Sequence, residues 1–212
     1  ACATPAVQSN QIPPAGFSGP QIEDAPRSGT EGHFVMTNGA RLPFLQWSPQ
    51  TRRPERVFVA LHGMNDHNAS FRLAGPWWAE HGVVTYSFDQ RGFGQAPGRG
   101  TWAGQALMTS DLSTVTDLVR DRHPGLPVTV VGESMGGSVA IAAFSSDDVP
   151  RADTLVLLAP GVWGWSSQDL INRLSLRLAA HTLPARSLTP PDFIARRILA
   201  SDNWLELIRN GR

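Results

Sequence analysis

A serine inside a glycine-rich turn is the residue of this sequence best suited to chemistry. Ser134 stands at the centre of Gly132-Glu133-Ser134-Met135-Gly136. The preceding residues 127–131 form a short apolar run rich in β-branched side chains, which is typical of a strand buried on both faces. The following residues 138–144 are small and apolar, as in a helix packed closely on a sheet. A strand, G-x-S-x-G and a helix in this order predict a nucleophile elbow, with the serine hydroxyl exposed for attack on a carbonyl carbon.

The glycines beside Ser134 fit the geometry of such a turn. A serine at a sharp strand-to-helix turn has a strained backbone, and a Cβ at Gly132 or Gly136 would collide with the turn or with the neighbouring strand. The N-terminus of the helix points at the serine, so its free N–H groups favour negative charge developing on a bound carbonyl oxygen. A glycine-rich turn without chemistry is the alternative, and the flanking strand and helix favour catalysis.

Composition narrows the class of protein. The 212 residues are enough for one sizeable domain with its own core. Lys+Arg and Asp+Glu both number 18, and this balance argues against a nucleic-acid-binding protein, which would normally show a basic patch. No apolar stretch is long enough to span a bilayer. No spacing typical of metal ligands is present, and we expect neither a metal nor another cofactor.

The N-terminal residues predict an anchor and a tether. Cys2 is the single cysteine, so no internal disulfide can form. Ala1-Cys2 looks like a bacterial lipoprotein processing site, in which the cysteine becomes lipidated; an arbitrary trim near a cysteine is the alternative. Residues 1–28 have the proline-rich, small and polar composition of an extended tether. We therefore expect a location in the bacterial cell envelope with membrane attachment through Cys2, and a cytoplasmic location is the alternative.

Residues 29–161 alternate between strand-like and helix-like patterns. Besides the strand before Ser134, strands are predicted at 32–37, 42–47, 56–61, 83–88 and 154–158, and helices at 70–81 and 107–123. Gly75-Pro76 predicts a kink or break in the first helix. Asn38-Gly39 predicts a hairpin turn, so the first two strands should form an antiparallel edge of a mostly parallel sheet. The fold class is α/β, with helices on both faces of the sheet.

Residues 162–212 show a different pattern, in which no strand is predicted. One apolar helix face is formed by Trp163, Trp165, Leu170, Leu174 and Leu178. Prolines at 184, 190 and 191 interrupt the helix, and residues 193–199 and 203–208 resemble further short helices. We expect this segment to be the start of a helical cap over the edge of the sheet where such folds bind substrates.

Three stretches together resemble a known family. LHGMNDHNASF at 61–71, FDQRGFGQ at 88–95 and VGESMGG at 131–137 are similar, in this order, to the α/β-hydrolase superfamily, and within it to the monoacylglycerol lipase and lysophospholipase (serine aminopeptidase-like) group. The resemblance covers roughly residues 32–212. It implies an α/β-hydrolase fold and a serine esterase that forms an acyl-enzyme. A monoacylglycerol or lysophospholipid would be the substrate.

The resemblance also implies a role for individual residues. Ser134 matches the nucleophile, and the backbone N–H groups of Met64 and Met135 match the oxyanion hole. The residues that match elbow and loop support are Gly132, Gly136, His62 and Gly63, with His62 structural and not the base. A structural turn is matched by Asp89, Arg91 and Gly94. Ala96-Pro97 stands where the family often has a serine, so that turn is expected to differ locally.

The acid and the base of a triad are not identified by the sequence. In this superfamily the order is Ser, then Asp or Glu, then His. After Ser134 the only histidine is His181, and the acids between the two are Asp147, Asp148, Asp153 and Asp169. The first two acids lie in the loop after the elbow helix, and Asp153 precedes the next strand, on the wrong edge of the sheet. Asp169 and His181 both fall in the helical cap, with no strand between them to bring either to the elbow. We therefore expect the acid and base beyond Arg212, the C-terminal part of the fold to be missing from these residues, and little activity from them alone.

Two other functions remain open from the residues. A non-catalytic binding domain would keep the elbow as architecture and bind an apolar ligand under the cap. An acyltransferase would keep the chemistry and pass the acyl group to an alcohol or amine. Acid release from a p-nitrophenyl ester, with and without added alcohol, separates the three.

Overall fold

A computed structural model describes residues 8, 13, 15–24, 30–162 and 169–182 of the chain. The strands are β1 (Gln21–Asp24), β2 (Glu31–Val35), β3 (Arg41–Trp47), β4 (Arg56–Leu61), β5 (Val83–Phe88), β6 (Val128–Glu133) and β7 (Thr154–Leu158). The helices are a short 3₁₀ helix (Asn68–Phe71), α1 (Ala74–Glu80), α2 (Gln105–Arg122), α3 (Met135–Phe144) and α4 (Leu170–Thr182).

The seven strands form one sheet in the order β1-β2-β3-β5-β4-β6-β7. The pairs from β1 to β3, and the pair of β3 with β5, are antiparallel. β5, β4, β6 and β7 run parallel to one another. The carboxyl ends of these four strands therefore meet at one edge of the sheet, and the loops that follow β4, β5 and β6 lie close together there.

Helices cover both faces of the sheet, as the sequence predicts. α2 and α3 contact one another and the strands on one face, where the large core cluster includes Leu112, Val115 and Val139. The 3₁₀ helix and α1 cover the other face, where Phe58 and Phe71 both contact the ring of Trp78. Burial on both faces explains why β5 is buried along its whole length.

An additional strand, β1, changes both the predicted edge of the sheet and the predicted tether. The turn at Asn38-Gly39 is present, with the Met36 N–H donating to the Ala40 carbonyl at 2.8 Å. However, β2 is not the edge of the sheet, because Gln21–Asp24 adds outside it as β1. Ile22 packs against the core, and Arg122 binds the carboxylate of Asp24. The prediction of a weakly ordered linker through residue 28 is therefore wrong for these four residues, whose single large apolar side chain gave little signal.

The predicted helix at 70–81 is two helices, and the break is not at Gly75-Pro76. The 3₁₀ helix ends at Phe71, and α1 begins at Ala74. Pro76 lies in the first turn of α1, where an N–H has no intrahelical partner in any case. Gly75 is required by packing, since a Cβ there would overlap the ring of Trp47 on β3.

The segment after β7 is described only in part. The predicted helix is present as α4, with Leu170, Leu174 and Leu178 exposed. Trp163 and Trp165, like the predicted helices at 193–199 and 203–208, lie outside the described residues. The boundaries of the cap at 162–212 stay a prediction.

Candidate active site

Ser134 lies at the junction of β6 and α3, in the backbone conformation expected of an elbow. Its φ is 49° and its ψ is −111°, a left-handed conformation that residues with a side chain rarely adopt. Its N–H donates to the Leu158 carbonyl at 2.9 Å, and its own carbonyl accepts the N–H groups of Gly161 at 2.9 Å and Ser138 at 3.1 Å. The end of β7 and the first turn of α3 thus fix the serine from both sides.

Gly132 and Gly136 stand where the chain leaves no room for a side chain. A Cβ on Gly132 would lie 2.7 Å from the carbonyl oxygen of Gly136. A Cβ on Gly136 would lie 2.5 Å from the carbonyl oxygen of Leu61 at the end of β4. The two glycines therefore allow α3 to turn back against β6 and β4 directly after the serine.

The loop after β4 brings Gly63 against Ser134. A Cβ on Gly63 would lie 3.4 Å from the Cβ of Ser134 and 3.9 Å from its Oγ. Met64, the next residue, exposes its side chain, whereas Met135 is buried. Met135 is the first residue of α3, where backbone N–H groups have no carbonyl partner within the helix. The structure thus places both segments predicted to form an oxyanion hole beside the serine.

His62 is a fully buried side chain whose two ring nitrogens both contact backbone groups. The N–H of Gln90 donates to its Nε2 at 3.0 Å, so Nδ1 carries the proton and donates to the Gly63 carbonyl at 2.8 Å. The Gln90 side-chain amide also donates to the His62 carbonyl at 2.7 Å. Burial lowers the pKa of His62, which favours the neutral ring that these contacts require. This geometry is that of a structural histidine that holds the loop next to Ser134.

The turn after β5 is organised by the buried carboxylate of Asp89. Oδ1 accepts the N–H of Asn68 at 2.6 Å, and Oδ2 accepts the N–H of Gln95 at 2.7 Å. Gly94 is required beside it, because its φ is 53° and a Cβ would overlap the Asp89 carboxylate. Asp89 therefore connects the loop after β4 to the loop after β5.

Arg91 forms a buried ion pair with Asp111 of α2. Its Nε and Nη2 donate to the two carboxylate oxygens at 2.8 and 2.7 Å. A bidentate pair of this kind fixes geometry as well as charge. It holds the turn after β5 against α2, which agrees with the structural role that the resemblance implied for Arg91.

A cavity of about 620 Å³ lies between the two loops. Its walls are residues 64–67 on one side and residues 92–95 and 99–102 on the other. Met64 lines it, but Ser134 does not. The cavity therefore adjoins the candidate active site without containing the serine.

Two carboxylates at the ends of β6 have shifted pKa values. Burial, together with the nearby charge of Asp66, raises the pKa of Glu133, the residue before Ser134. Asp153 accepts the N–H of Val128 at 2.7 Å and pairs with Arg120, and both contacts lower its pKa. Asp153 is thus bound at the amino end of β6, the end opposite Ser134.

All six histidines of the chain lie in the described residues, and none makes a hydrogen bond to Ser134 there. His67 pairs with Asp66, His123 contacts the Tyr86 hydroxyl at 2.9 Å, and His81 and His181 contact carbonyls four residues back in their own helices. His33 lies on β2, next to the outer edge of the sheet. The candidate Asp169 just precedes α4.

Two residues of the site were missed by the sequence reasoning. Gln90 lies in the motif at 88–95 but was given no role, although a polar residue in the turn that follows a buried strand is a signal for a site. Asp111 lies on the apolar face of α2, between Met108 and Val115, and an acid in that position is a signal for a buried partner.

Two kinds of feature are absent from the described part of the chain. No group of three or more His, Cys, Asp and Glu side chains there is arranged to hold a metal ion. Among the described helices, none has the length and apolar character needed to cross a membrane.

The chain is similar to one described family and to several known proteins. The profile of one family, described as serine aminopeptidase, S33 (Hydrolase_4), matches residues 52–203. A monoacylglycerol lipase from Mycolicibacterium smegmatis is 28% identical over 134 residues, which are 63% of this chain and 47% of that protein. The human monoglyceride lipase is 27% identical over 162 residues, 76% of this chain and 53% of the relative. The chain thus spans about half the length of these curated relatives.

A solved structure shows the same fold. The α/β hydrolase GrgF from Penicillium sp. sh18 superposes with a TM-score of 0.56 at 22% identity, covering 74% of this chain and 53% of the other. The mixed sheet and the helices on its two faces agree with this fold. The family match over residues 52–203 agrees with it as well. The chain belongs to the serine aminopeptidase, S33 family, and its fold is that of an α/β hydrolase.

Proposed function

We propose that this chain carries the nucleophile of a serine hydrolase of lipid carboxylic esters, with monoacylglycerols or lysophospholipids as the substrate class. The observation that carries the proposal is the placement of Ser134, in a left-handed conformation between β6 and α3 and facing Gly63. The names of the curated relatives, a monoacylglycerol lipase and a monoglyceride lipase, support the class of ester.

In the proposed reaction the Ser134 Oγ attacks the ester carbonyl carbon, and the alcohol leaves as an acyl-enzyme forms. Water then attacks the acyl carbon, and the acid is released as the serine is regenerated. The N–H groups of Met64 and Met135 would donate to the oxyanion of each tetrahedral intermediate, a contribution of about 3 kcal/mol per donor. No metal or organic cofactor takes part in this scheme.

We further propose that none of the six histidines is the general base. The support is their hydrogen bonding: His62 holds the loop at Gly63, and His181 contacts the carbonyl of Arg177 in α4. The base and acid are then supplied from beyond Arg212. Esterase turnover by the 212 residues that is lost on His181→Ala would contradict this.

Labelling with a fluorophosphonate of the complete protein, including the proposed acid and base, tests the nucleophile. Peptide mass spectrometry should find the adduct on the peptide that contains Ser134, and Ser134→Ala should abolish it. Ser138→Ala, one turn further along α3, is the matched control and should still be labelled. Labelling that persists in Ser134→Ala would show that the assignment is wrong.

A p-nitrophenyl ester assay separates the alternatives. An ester hydrolase releases the free acid whether or not alcohol is added. An acyltransferase instead transfers the acyl group to the alcohol and forms a new ester. A binding domain would protect an apolar ester without cleaving it. Transfer to alcohol in preference to water would replace the hydrolase proposal.

An acyl-chain site beside α4 is also proposed. Four large apolar side chains of α4 are exposed: Leu170, Ile171, Leu174 and Leu178. Burying each methylene of an acyl chain is worth about 0.8 kcal/mol, so medium and long acyl esters should compete better than acetyl esters. A flat chain-length profile would argue against this site.

Attachment to a membrane surface through Cys2 in the bacterial envelope remains a separate proposal. It rests on the sequence at Ala1-Cys2, which lies outside the described residues. A lipidated cysteine followed by a tether would hold the domain at the surface. Native protein should then partition into detergent and carry a diacylglyceryl mass on its N-terminal peptide, whereas an unmodified Cys2 would contradict the proposal.

A further inference from the structure

Apart from Met64, the residues that line the cavity, at 64–67, 92–95 and 99–102, have no role in the chemistry assigned to Ser134. The cavity begins at Met64, one residue from Gly63, which lies against the serine. A ligand group in the cavity would therefore be part of a substrate whose ester is at Ser134, but it would not include the reacting atoms. The volume of about 620 Å³ is in the range of small-molecule sites.

The two walls of the cavity are fixed to each other by contacts beneath it. The Asp89 carboxylate accepts N–H groups from Asn68 behind one wall and from Gln95 of the other. Asp89 is 2% exposed, so these charged hydrogen bonds are shielded from water. The cavity is thus preformed, which reduces the ordering required on binding.

The second wall is also held by Gln8. The Gln8 side-chain amide donates to the carbonyls of Gly98 at 3.2 Å and Thr101 at 2.9 Å, and its N–H donates to the Trp102 carbonyl at 3.2 Å. A Cβ on Gly98 would overlap the Gln8 side chain. Gln8 therefore helps to set the position of Trp102 in the cavity wall.

The lining carries unlike charges on its two walls, beside apolar surface. Asp66 lies on the first wall, and Arg99 lies on the second. Within the described residues Arg99 makes no ion pair, while Asp66 contacts His67 at 3.2 Å. Phe93 and Trp102 add aromatic surface. An acyl chain in this cavity would strip water from both charges without replacing its hydrogen bonds, which is unfavourable.

We propose that this cavity binds the head group of a lysophospholipid that carries both a phosphate and an ammonium group, with Arg99 facing the phosphate and Asp66 facing the ammonium. A zwitterionic head group matches the opposite charges of the two walls. The aromatic side chain of Trp102 suits the methyl groups of a quaternary ammonium, which bind aromatic faces through cation–π attraction. The proposal rests on the proposed function, and it selects lysophospholipids over monoacylglycerols as its substrate.

The direct test compares ligands that differ only in the head group. The 212-residue chain is titrated, below the critical micelle concentration, with 1-O-hexyl ethers of glycerol, glycerol 3-phosphate and glycerophosphocholine, none of which contains an ester. Calorimetry should give the lowest Kd for the phosphocholine ether. Each exposed charge pair should contribute about two- to fivefold in Kd, and the advantage should shrink with salt. Equal Kd values for the three ethers would overturn the proposal, and so would tightest binding of the uncharged or the anionic ether.

Single substitutions test whether Arg99 and Asp66 supply the two charges that bind the head group. Arg99→Gln should remove the preference for the glycerol 3-phosphate ether over the glycerol ether and reduce the preference for the phosphocholine ether. Asp66→Asn keeps an acceptor for the His67 N–H, which donates to Oδ1 at 2.8 Å, and should remove only the preference for phosphocholine over phosphate. Arg53→Gln and Asp147→Asn, exposed residues away from the cavity, are the matched controls and should leave all three Kd values unchanged. Unchanged selectivity in Arg99→Gln and Asp66→Asn would overturn the proposal.

Labelling of Ser134 separates this inference from the proposed function. Fluorophosphonate labelling of the complete protein, including the proposed acid and base, reports the nucleophile and does not depend on a lipid head group. If Ser134 is labelled but the three ethers have equal Kd values, only the head-group site is overturned. Selective binding without labelling would support the site and count against the hydrolase.

Discussion

At the residue scale, the loop beside Ser134 depends on an uncharged His62. Its Nε2 accepts the Gln90 N–H, and a protonated ring cannot accept it. Burial lowers the pKa of His62 in the folded state, so the unfolded chain binds the proton more tightly. The contribution of His62 to the free energy of unfolding is therefore fully present above the unfolded pKa of about 6.5. It decreases as the pH falls from there towards the folded pKa.

We expect the free energy of unfolding to fall between pH 7.5 and pH 5.5, by up to about 1.4 kcal/mol per pH unit from His62 within that window. Denaturant titrations at several pH values measure it. His62→Gln should be less stable at pH 7.5 but show a smaller dependence on pH, and exposed His81→Gln is the control. Burial also lowers the pKa of His33 and His123, which explains a residual slope. An unchanged slope in His62→Gln would contradict the assignment.

At the element scale, the apolar strands were predictable and the helix ends were not. β5 and β7 occupy the predicted residues, because apolar runs of five or six residues between polar breaks have few alternatives. The division between the 3₁₀ helix and α1 depends on how Gly75 meets Trp47, a contact between residues far apart in sequence. The elbow could be predicted because strand, turn and helix are contiguous, whereas the cavity between two loops depends on their spacing in three dimensions.

The contact of α1 with β3 gives a prediction at the same scale. Gly75→Ala should lower the free energy of unfolding by about 1–3 kcal/mol, because its methyl group would overlap the Trp47 ring. Trp47→Ala removes that obstacle, so the double variant should lose less than the sum of the two single variants. Denaturant unfolding of the four proteins in the cycle measures the coupling. Additive losses would mean that the helix does not pack on Trp47.

At the scale of the whole molecule, β7 ends the sheet as a short apolar strand. In the described residues it pairs only with β6, and Val156, Leu157 and Leu158 are each 37–41% exposed. Exposed apolar edges favour association between chains, and a lysine on such an edge opposes it. Val156→Lys should therefore reduce aggregation of the 212-residue chain, measured by light scattering, with little change in melting temperature. Leu155→Lys is the contrasting variant, since Leu155 packs against the core and its replacement should lower the melting temperature.

The backbone of Ser134 has a thermodynamic consequence for the molecule. A non-glycine residue held at φ 49° and ψ −111° costs the fold about 1–3 kcal/mol relative to a residue without a Cβ. Ser134→Gly should therefore raise the melting temperature, whereas Ser134→Ala, which keeps the Cβ, should leave it nearly unchanged. A lower melting temperature for Ser134→Gly would show that this backbone is relaxed. The rise would measure how much stability the protein forgoes to present one hydroxyl group, and a chain selected for stability alone would be expected to lose that hydroxyl first.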